Sequence, residues 1–300
     1  MSKTKLTLFS PAGVLRNGIG LRAAAKRLTS LGFDVKIDAG ALKKFQRFGG
    51  TDATRLAAIH RIAKQAPCVA LATRGGYGLT RLLDRIDWKL LAGSIKQGTR
   101  WVGHSDITAL HLGLLAHGRL QGTVGWAGPL AVDDFGRDVV DDVTEGCFVE
   151  AMHGVLDAIG FRTEAGFNGL GVTGTLWGGN LSLVCAMLGT LHWPTIQGGV
   201  LFLEDVNEHP YRVERCLLQL QQAGVLGKQK AIVLGAFNNY HKSPLDRGYT
   251  LKTVVQQLRS VCKVPILTGL PFGHVPTKVS LPVGARVKLM VDGRDAFIAW

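Results

Sequence analysis

Cysteine is scarce in this chain of 300 residues, and no two cysteines form a Cys-x-x-Cys pair. The five are odd in number and widely spaced, at Cys68, Cys147, Cys185, Cys216 and Cys262. A zinc site needs clustered thiols and a disulfide framework needs paired ones, so this spacing argues against both. It favours free thiols in a reducing cytosol.

Acidic residues are also few, because 22 Asp and Glu stand against 35 Lys and Arg, which gives a formal net charge of +13. Such an excess raises the question of nucleic acid. The basic residues are scattered, however, with no arginine-rich arm and no interleaved aromatics. The pattern favours a solvated basic surface that attracts acidic substrates, and we expect no nucleic-acid partner.

Long uninterrupted apolar runs are missing. The first apolar segment, Leu6–Phe9, is short, and it is too short for the core of a signal peptide. Residues 165–203 contain no charged side chain, but nine glycines and Pro194 interrupt them. A membrane-spanning helix needs about 20 predominantly apolar residues. We therefore expect buried structure here, no membrane association and a cytoplasmic location.

The first half of the chain alternates strands with helices, which predicts a parallel sheet covered on both faces. Sites in such sheets form at the carboxyl ends of the strands. The loop at Gly75-Gly76 and the turn at Ser105 both follow predicted strands, so they can meet at one crevice. The predicted strands are 5–9, 33–38, 68–72 and 101–102, and the predicted helices are 17–31, 51–65, 79–91 and the segment after residue 105.

The second half predicts a mixed α/β domain with an antiparallel part, and we divide the chain into domains at 1–150 and 151–300. An Asp292-Gly293 pair between two alternating segments predicts a hairpin. The predicted strands are 173–177, 199–203, 231–236 and 285–290, and the predicted helices are 180–189 and 211–223.

Ser105 stands at a predicted strand–turn–helix junction, within Gly103-His-Ser-Asp-Ile107. A serine there projects its hydroxyl beside the free N–H groups of a helix start, where nucleophilic serines often lie. The motif departs from Gly-x-Ser-x-Gly because Ile107 replaces the second glycine. The alternative is that Ser105 only caps its helix, and the turn alone leaves both open.

Two further features could complete a catalytic site. Glu204 follows a predicted apolar strand and could orient a histidine, or it could only complement the dipole of the next helix. His274 lies between Pro271 and Pro276 in a segment that cannot be a regular helix. It is one of nine histidines, and the competing bases are His104, His111, His192 and His209. The absence of a His-x-x-x-His pair argues against zinc.

The glycine-rich loop Arg74-Gly-Gly-Tyr-Gly78 could bind an oxyanion or a phosphate through its backbone N–H groups. It is not a Walker loop, since no Gly-Lys-Ser/Thr follows, and a tight structural turn is the alternative. Residues 18–23 fit Gly-x-Gly-x-x-Ala, but a loop separates them from the preceding strand, which disfavours a dinucleotide site.

Taken together, the chain resembles the LD-carboxypeptidases, a family of serine peptidases that includes the bacterial muramoyltetrapeptide carboxypeptidases and the microcin C immunity proteins. The resemblance covers nearly the whole chain. The motifs that carry it are Ser10-Pro-Ala-Gly13, Arg74–Gly78, Gly103–Thr108, Leu176-Trp-Gly-Gly-Asn-Leu181, Leu203-Glu-Asp-Val206 with Pro210-Tyr-Arg212, and Gly273-His274.

The resemblance implies a flavodoxin-like parallel sheet in the N-terminal domain and a smaller C-terminal α/β domain. It implies that Ser105 is the nucleophile, His274 the base and Glu204 the residue that orients it. The oxyanion would bind N–H groups of Asp106 and of Gly75 or Gly76. Arg74, Trp177 and Asn180 are further candidates for substrate binding.

The activity that the resemblance implies is release of terminal D-alanine from murein tetrapeptides during cell-wall recycling, through an acyl-enzyme. It implies no metal or organic cofactor, a cytoplasmic location and a homodimer. Two alternatives stay open at this point: hydrolysis of an aminoacyl- or peptidyl-adenylate analogue, as in the immunity branch, and nucleotide binding without catalysis.

Overall fold

The computed structural model describes residues 3–300, which form two compact units. The first comprises the chain up to Leu156 with Thr190–Pro194 and Pro276–Gly284. The second comprises Asp157–Gly189, Thr195–Val275 and Ala285–Trp300. The domain boundary at residue 150 stays a prediction, and the contacts add that both units are discontinuous in sequence.

Strands and helices alternate along most of the chain. The strands are β1 (Thr4–Phe9), β2 (Phe33–Ile37), β3 (Val69–Ala72), β4 (Arg100–Gly103), β5 (Gly125–Ala127), β6 (Ala158–Arg162), β7 (Gly171–Asn180), β8 (Val200–Val206), β9 (Ala231–Asn238), β10 (Ile266–Leu267), β11 (Leu281–Val283), β12 (Arg286–Asp292) and β13 (Asp295–Ala299). The α-helices are α1 (Ile19–Ser30), α2 (Asp52–Gln65), α3 (Trp88–Lys96), α4 (Ile107–His117), α5 (Asp142–His153), α6 (Leu181–Met187), α7 (Pro210–Gln222) and α8 (Leu251–Val261).

The sheet of the first unit has the strand order β11-β5-β4-β3-β1-β2. Its five N-terminal strands are parallel and follow the flavodoxin-like order 2-1-3-4-5, which confirms the predicted fold class. The sixth strand, β11, pairs antiparallel to β5 from a distant part of the sequence. All four residues of β3 are buried, as a parallel strand covered on both faces requires.

The sheet of the second unit has the order β10-β9-β8-β7-β12-β13-β6. Strands β7 to β10 are parallel, whereas β12, β13 and β6 add antiparallel neighbours. The hairpin predicted at Asp292-Gly293 joins β12 to β13. The mixed α/β fold expected for the second half is therefore confirmed.

The helix predicted over 79–91 is wrong. Two short 3₁₀ turns, Leu79–Arg81 and Leu83–Arg85, replace its first part, and α3 begins only at Trp88. Asp87 caps α3, because its side chain accepts the Leu90 N–H at 2.9 Å. The apolar spacing of the leucines is helical, but the chain forms the two 3₁₀ turns before α3 begins.

The described residues, 3–300, contain no helix that is both long and apolar enough to span a bilayer. The uncharged segment 165–203 instead supplies the long strand β7, the short helix α6 and the start of β8. The prediction of buried structure for this segment is confirmed in the five residues that end β7, Leu176–Asn180, and in Val200–Leu203 of β8.

Candidate active site

Ser105 lies on the sharp turn between β4 and α4 and is partly exposed. Its φ of 63° is in the left-handed region, which a residue with a side chain adopts only under constraint. Helix α4 has Asp106 as its N-cap residue, with no side-chain capping bond. The Ser105 carbonyl, not its hydroxyl, accepts the Thr108 N–H at 2.9 Å. The N-cap residue of α4 is thus Asp106 rather than Ser105, and the strained turn favours the nucleophile over the capping alternative.

The glycine-rich loop after β3 packs directly against this turn. A Cβ placed on Gly75 would lie 2.6 Å from the Ser105 Cβ and 2.7 Å from its Oγ. The same Cβ would lie 3.6 Å from the Asp106 nitrogen. Only glycine allows so close an approach. The expectation that the Gly75-Gly76 loop and the Ser105 turn meet at one crevice is confirmed.

The Asp106 side chain is fully buried and holds the loop in place. Its Oδ2 accepts the Leu79 N–H at 2.8 Å. Burial raises the pKa of the Asp106 carboxyl to about 6, although the Leu79 N–H and the Arg55 guanidinium favour the charged form. Sequence reasoning assigned a role only to the N–H of Asp106 and missed this contact of its carboxylate.

Arg55 is a second residue that sequence reasoning missed. Its side chain is completely buried, and Nη1 donates to the carbonyls of Pro11 and Gly78 at 2.9 and 2.8 Å. It therefore joins the loops that follow β1 and β3. The signal available in the sequence was an arginine on the otherwise apolar face of α2, among Ala58, Ile59 and Ile62.

In the second unit, Glu204 and His274 form a hydrogen-bonded pair. His274 Nδ1 lies 2.8 Å from Glu204 Oε2, and the Glu204 side chain has no exposed surface. A buried carboxylate on Nδ1 fixes the imidazole tautomer and leaves Nε2 as the basic nitrogen. The alternative role for Glu204, stabilising the dipole of α7, is not what its position shows.

The sequence predicted that Glu204 follows a strand. In the structure it lies within that strand, β8. Strand β8 continues to Val206, with a register shift against β9 between Leu203 and Asp205. Such an irregularity re-aims side chains near the end of a strand. Asn180 then fixes the two acidic side chains, donating from Nδ2 to Glu204 Oε1 at 3.2 Å and to Asp205 Oδ1 at 2.9 Å.

The competing histidines have other partners. His104 Nδ1 is 2.9 Å from the Gly128 carbonyl, and His111 Nε2 is 3.1 Å from that of Trp101. Burial lowers the pKa of His111 to about 4, which keeps it neutral. His192 lies 2.9 Å from Asp84, and His209 lies 3.1 Å from Asp246 and caps α7. Of these candidates, His274 is the one paired with a fully buried carboxylate.

The remaining candidates occupy varied positions. Arg74 Nη1 donates to the Val14 carbonyl at 2.9 Å. Trp177 has no exposed surface and its indole N–H donates to Gln229 at 2.9 Å, which argues against direct contact with substrate. Asn180 is also buried and caps α6, which fits a positioning role better than a binding one. Their roles in substrate binding stay predictions.

Across residues 3–300 the structure has no cluster of three or more His, Cys, Asp or Glu side chains able to hold a metal ion. The chemistry that the two units offer is a strained serine beside glycine-loop N–H groups in the first, and a carboxylate-oriented imidazole in the second. These are the parts of serine-dependent acyl transfer.

Two family models match separate parts of this chain. Residues 6–125 match the LD-carboxypeptidase N-terminal domain, and residues 173–289 match the LD-carboxypeptidase C-terminal domain. The murein tetrapeptide carboxypeptidase of Pseudomonas aeruginosa is 28% identical over 291 residues, which cover 95% of this chain and 92% of the relative.

Two further proteins bear on the family. A crystal structure of muramoyltetrapeptide carboxypeptidase from Oxalobacter formigenes is 38% identical, with a TM-score of 0.89 and 99% coverage of both chains. The microcin C7 self-immunity protein MccF of Escherichia coli is 24% identical over 258 residues, which cover 76% of this chain and 72% of MccF. The two matched domains lie in the order and at the positions of the serine turn and the Glu–His pair, and the chain belongs to the LD-carboxypeptidase family.

Proposed function

We propose that the protein is a serine carboxypeptidase that releases terminal D-alanine from murein tetrapeptides, with Ser105, His274 and Glu204 as its catalytic triad. The observation that carries the proposal is the 2.8 Å contact between His274 Nδ1 and buried Glu204. It gives this chain an oriented base of the kind that a serine hydroxyl needs. The names of the relatives from Pseudomonas and Oxalobacter support the substrate class.

The proposed reaction begins when His274 Nε2 takes the proton of the Ser105 hydroxyl. Ser105 Oγ then bonds to the carbonyl carbon of the L-configured centre that precedes the terminal D-alanine. The charge on the carbonyl oxygen is stabilised by N–H groups of Asp106 and of Gly75 or Gly76, each worth about 2.7–4 kcal/mol of barrier in comparable sites. Because Ser105 belongs to the first unit and the Glu–His pair to the second, the proposal includes their meeting during catalysis.

Collapse of the tetrahedral intermediate breaks the C–N bond. The proton held by His274 passes to the leaving amine of D-alanine, and Ser105 retains the acyl group. Water then attacks the acyl-enzyme after losing a proton to His274, which restores the serine hydroxyl and frees the shortened peptide. The proton taken from Ser105 leaves on the amine of D-alanine and a proton from water replaces it, so the net reaction is hydrolysis of one amide bond.

The test is an assay of D-alanine release from a murein tetrapeptide. Ser105→Ala, His274→Ala and Glu204→Gln should each lower kcat by about 10⁴-fold or more, since triad members act as a unit. Glu208→Ala is the matched control, because Glu208 is bonded to Arg212 within α7's first turn and should not affect turnover. Retained D-alanine release by the Ser105→Ala protein would overturn the assignment.

A parallel assay with an aminoacyl sulfamoyl adenosine separates this function from the immunity activity of MccF. We expect turnover of the tetrapeptide and none of the adenylate analogue. Efficient cleavage of the analogue alone, or nucleotide binding without hydrolysis of either compound, would refute the proposed substrate class. The cytoplasmic location and the homodimer implied by the family stay predictions, and sedimentation of the purified protein tests the latter.

A further inference from the structure

Two of the five cysteines lie together on neighbouring helices of the second unit. Cys185 is on α6 and Cys216 is on α7, and these helices pack against each other. The Cys185 thiol donates to the Cys216 carbonyl oxygen at 3.4 Å, which places the two cysteines side by side. Both side chains are partly exposed and both are free thiols. Their contact brings together residues 31 apart in sequence.

The two thiols differ in their readiness to react. The hydrogen bond from Cys185 lowers the pKa of Cys216, with help from the Arg215 cation, whereas burial and the Asp205 and Glu208 carboxylates oppose the shift. The same bond, together with burial, raises the pKa of Cys185. Cys216 therefore loses its proton more readily than Cys185, which makes it the better nucleophile of the pair.

The pair lies close to the residues that position Glu204. Helix α6 begins next to Asn180, and Ser182 in its first turn donates from its backbone N–H and hydroxyl to Asp205 Oδ2 at 2.9 and 2.7 Å. Helix α7 follows β8, which carries Glu204 and Asp205. A covalent bond between these helices would link the two elements that flank this end of β8.

We propose that Cys185 and Cys216 form a reversible disulfide when the protein meets a low-molecular-weight disulfide such as oxidised glutathione. The Cys216 thiolate attacks one glutathione sulfur, which forms a mixed disulfide and releases the first glutathione thiol. Cys185 then loses its proton and attacks the Cys216 sulfur, which releases the second glutathione. The two protein thiols are oxidised, the glutathione disulfide is reduced, and the two protons end on the two glutathione thiols.

The experiment oxidises the native protein with a glutathione buffer, blocks the remaining thiols, and maps cysteine-containing peptides by mass spectrometry. We expect a cross-linked peptide that joins Cys185 to Cys216 and that disappears after treatment with a reductant. Cys147→Ser is the matched control and should form the same cross-link, because Cys147 is a half-buried cysteine of the first unit. If Cys185 and Cys216 were instead found on separate peptides, each carrying the thiol-blocking reagent after oxidation of the native protein, the proposal would be overturned.

Two single variants test the assigned order of the steps. Cys185→Ser should accumulate a glutathione adduct at Cys216, because no thiol remains to resolve it. Cys216→Ser should give little adduct at Cys185 in the same time, with at least a tenfold difference between the two rates. Equal rates, or faster reaction at Cys185, would refute Cys216 as the nucleophile. Folding of each variant is checked by its circular dichroism spectrum.

Discussion

Asp106 and Leu79 are joined by a 2.8 Å hydrogen bond in which the buried carboxylate that follows the serine accepts the first N–H beyond the glycine-rich loop. The contact links 27 residues of chain and ends the loop at a fixed position. The Asp106 carboxylate thus positions the loop, a role separate from that proposed for the Asp106 N–H in binding the oxyanion.

Replacement of Asp106 separates the hydrogen bond from the charge. Asp106→Asn keeps an oxygen that can accept the Leu79 N–H, so kcat for D-alanine release should stay within about tenfold of the parent. Asp106→Ala leaves that buried N–H without a partner, which costs about 1–3 kcal/mol and releases the loop. We expect kcat to fall about 100-fold in the alanine variant. Equal losses in both variants would show that the charge, and not the bond, is needed.

Asp106 and His111 should change the stability of the protein with pH in opposite directions. The raised pKa of Asp106 means that its contribution to the free energy of unfolding is greatest at low pH and is lost as pH rises from 3.8 to about 6. The lowered pKa of His111 means that stability is lost as pH falls from 6.5 to about 4. Each shift corresponds to about 3 kcal/mol.

Urea unfolding of two variants at pH 4 and pH 7 checks this pair. For each variant the measured quantity is its free energy of unfolding minus that of the parent. For Asp106→Asn this difference should be about 3 kcal/mol higher at pH 7 than at pH 4, and for His111→Gln it should be higher at pH 4. Differences that do not vary with pH would mean that neither group has the pKa shift described. Measuring both variants together controls for changes in the other titrating groups.

Gly75 should be intolerant of any side chain. Its missing Cβ faces the Ser105 Cβ at 2.6 Å, so Gly75→Ala must displace the loop or the serine turn. A displacement of this kind should lower kcat for D-alanine release by about 100-fold while the protein stays folded. Gly93→Ala in α3 is the control, since no atom lies within 4 Å of its Cβ position and alanine favours a helix. Full activity in the Gly75→Ala protein would contradict the role given to this loop.

The buried ion pair of Lys278 and Asp134 should be important for the stability of the first unit. Their side chains are 2% and 5% exposed, and Asp134 also accepts the Leu130 N–H at 2.7 Å. Lys278→Met leaves a buried carboxylate without its cation, which should cost about 3–5 kcal/mol. The double change Lys278→Met with Asp134→Leu should recover part of that loss. Urea denaturation measures both, and an additive double variant would argue against a direct coupling.

The sequence predicted the parts of the molecule that depend on local patterns. Apolar spacing predicted the parallel strands, and turn residues predicted the hairpin at Asp292-Gly293. The meeting of the Gly75 loop with the Ser105 turn was predicted because loops at the carboxyl ends of parallel strands lie at the same edge of a sheet. The pairing of His274 with Glu204 was inferred from the family resemblance, and the two side chains are hydrogen-bonded in the structure.

What the sequence did not predict depends on contacts between distant residues. The helical pattern at 79–91 did not reveal the two 3₁₀ turns, which follow a loop held by the bond from Leu79 to Asp106 and by the Arg55 bond to the Gly78 carbonyl. The short strand β11 has no independent signal, because its three residues become a strand only by pairing with β5. The position of Glu204 inside β8 required the register shift against β9, which no local pattern announces.

The return of β11 to the first sheet has a consequence for how the protein is made. Its partner β5 leaves the ribosome more than 150 residues earlier, and the buried Lys278 reaches Asp134 only shortly before β11 itself appears. The first unit therefore cannot complete its sheet or neutralise that carboxylate until nearly the whole chain has been synthesised. The β5 edge therefore stays unpaired while the second unit is synthesised. We expect a chain truncated before residue 276 to keep this edge exposed, to bind chaperones and to aggregate.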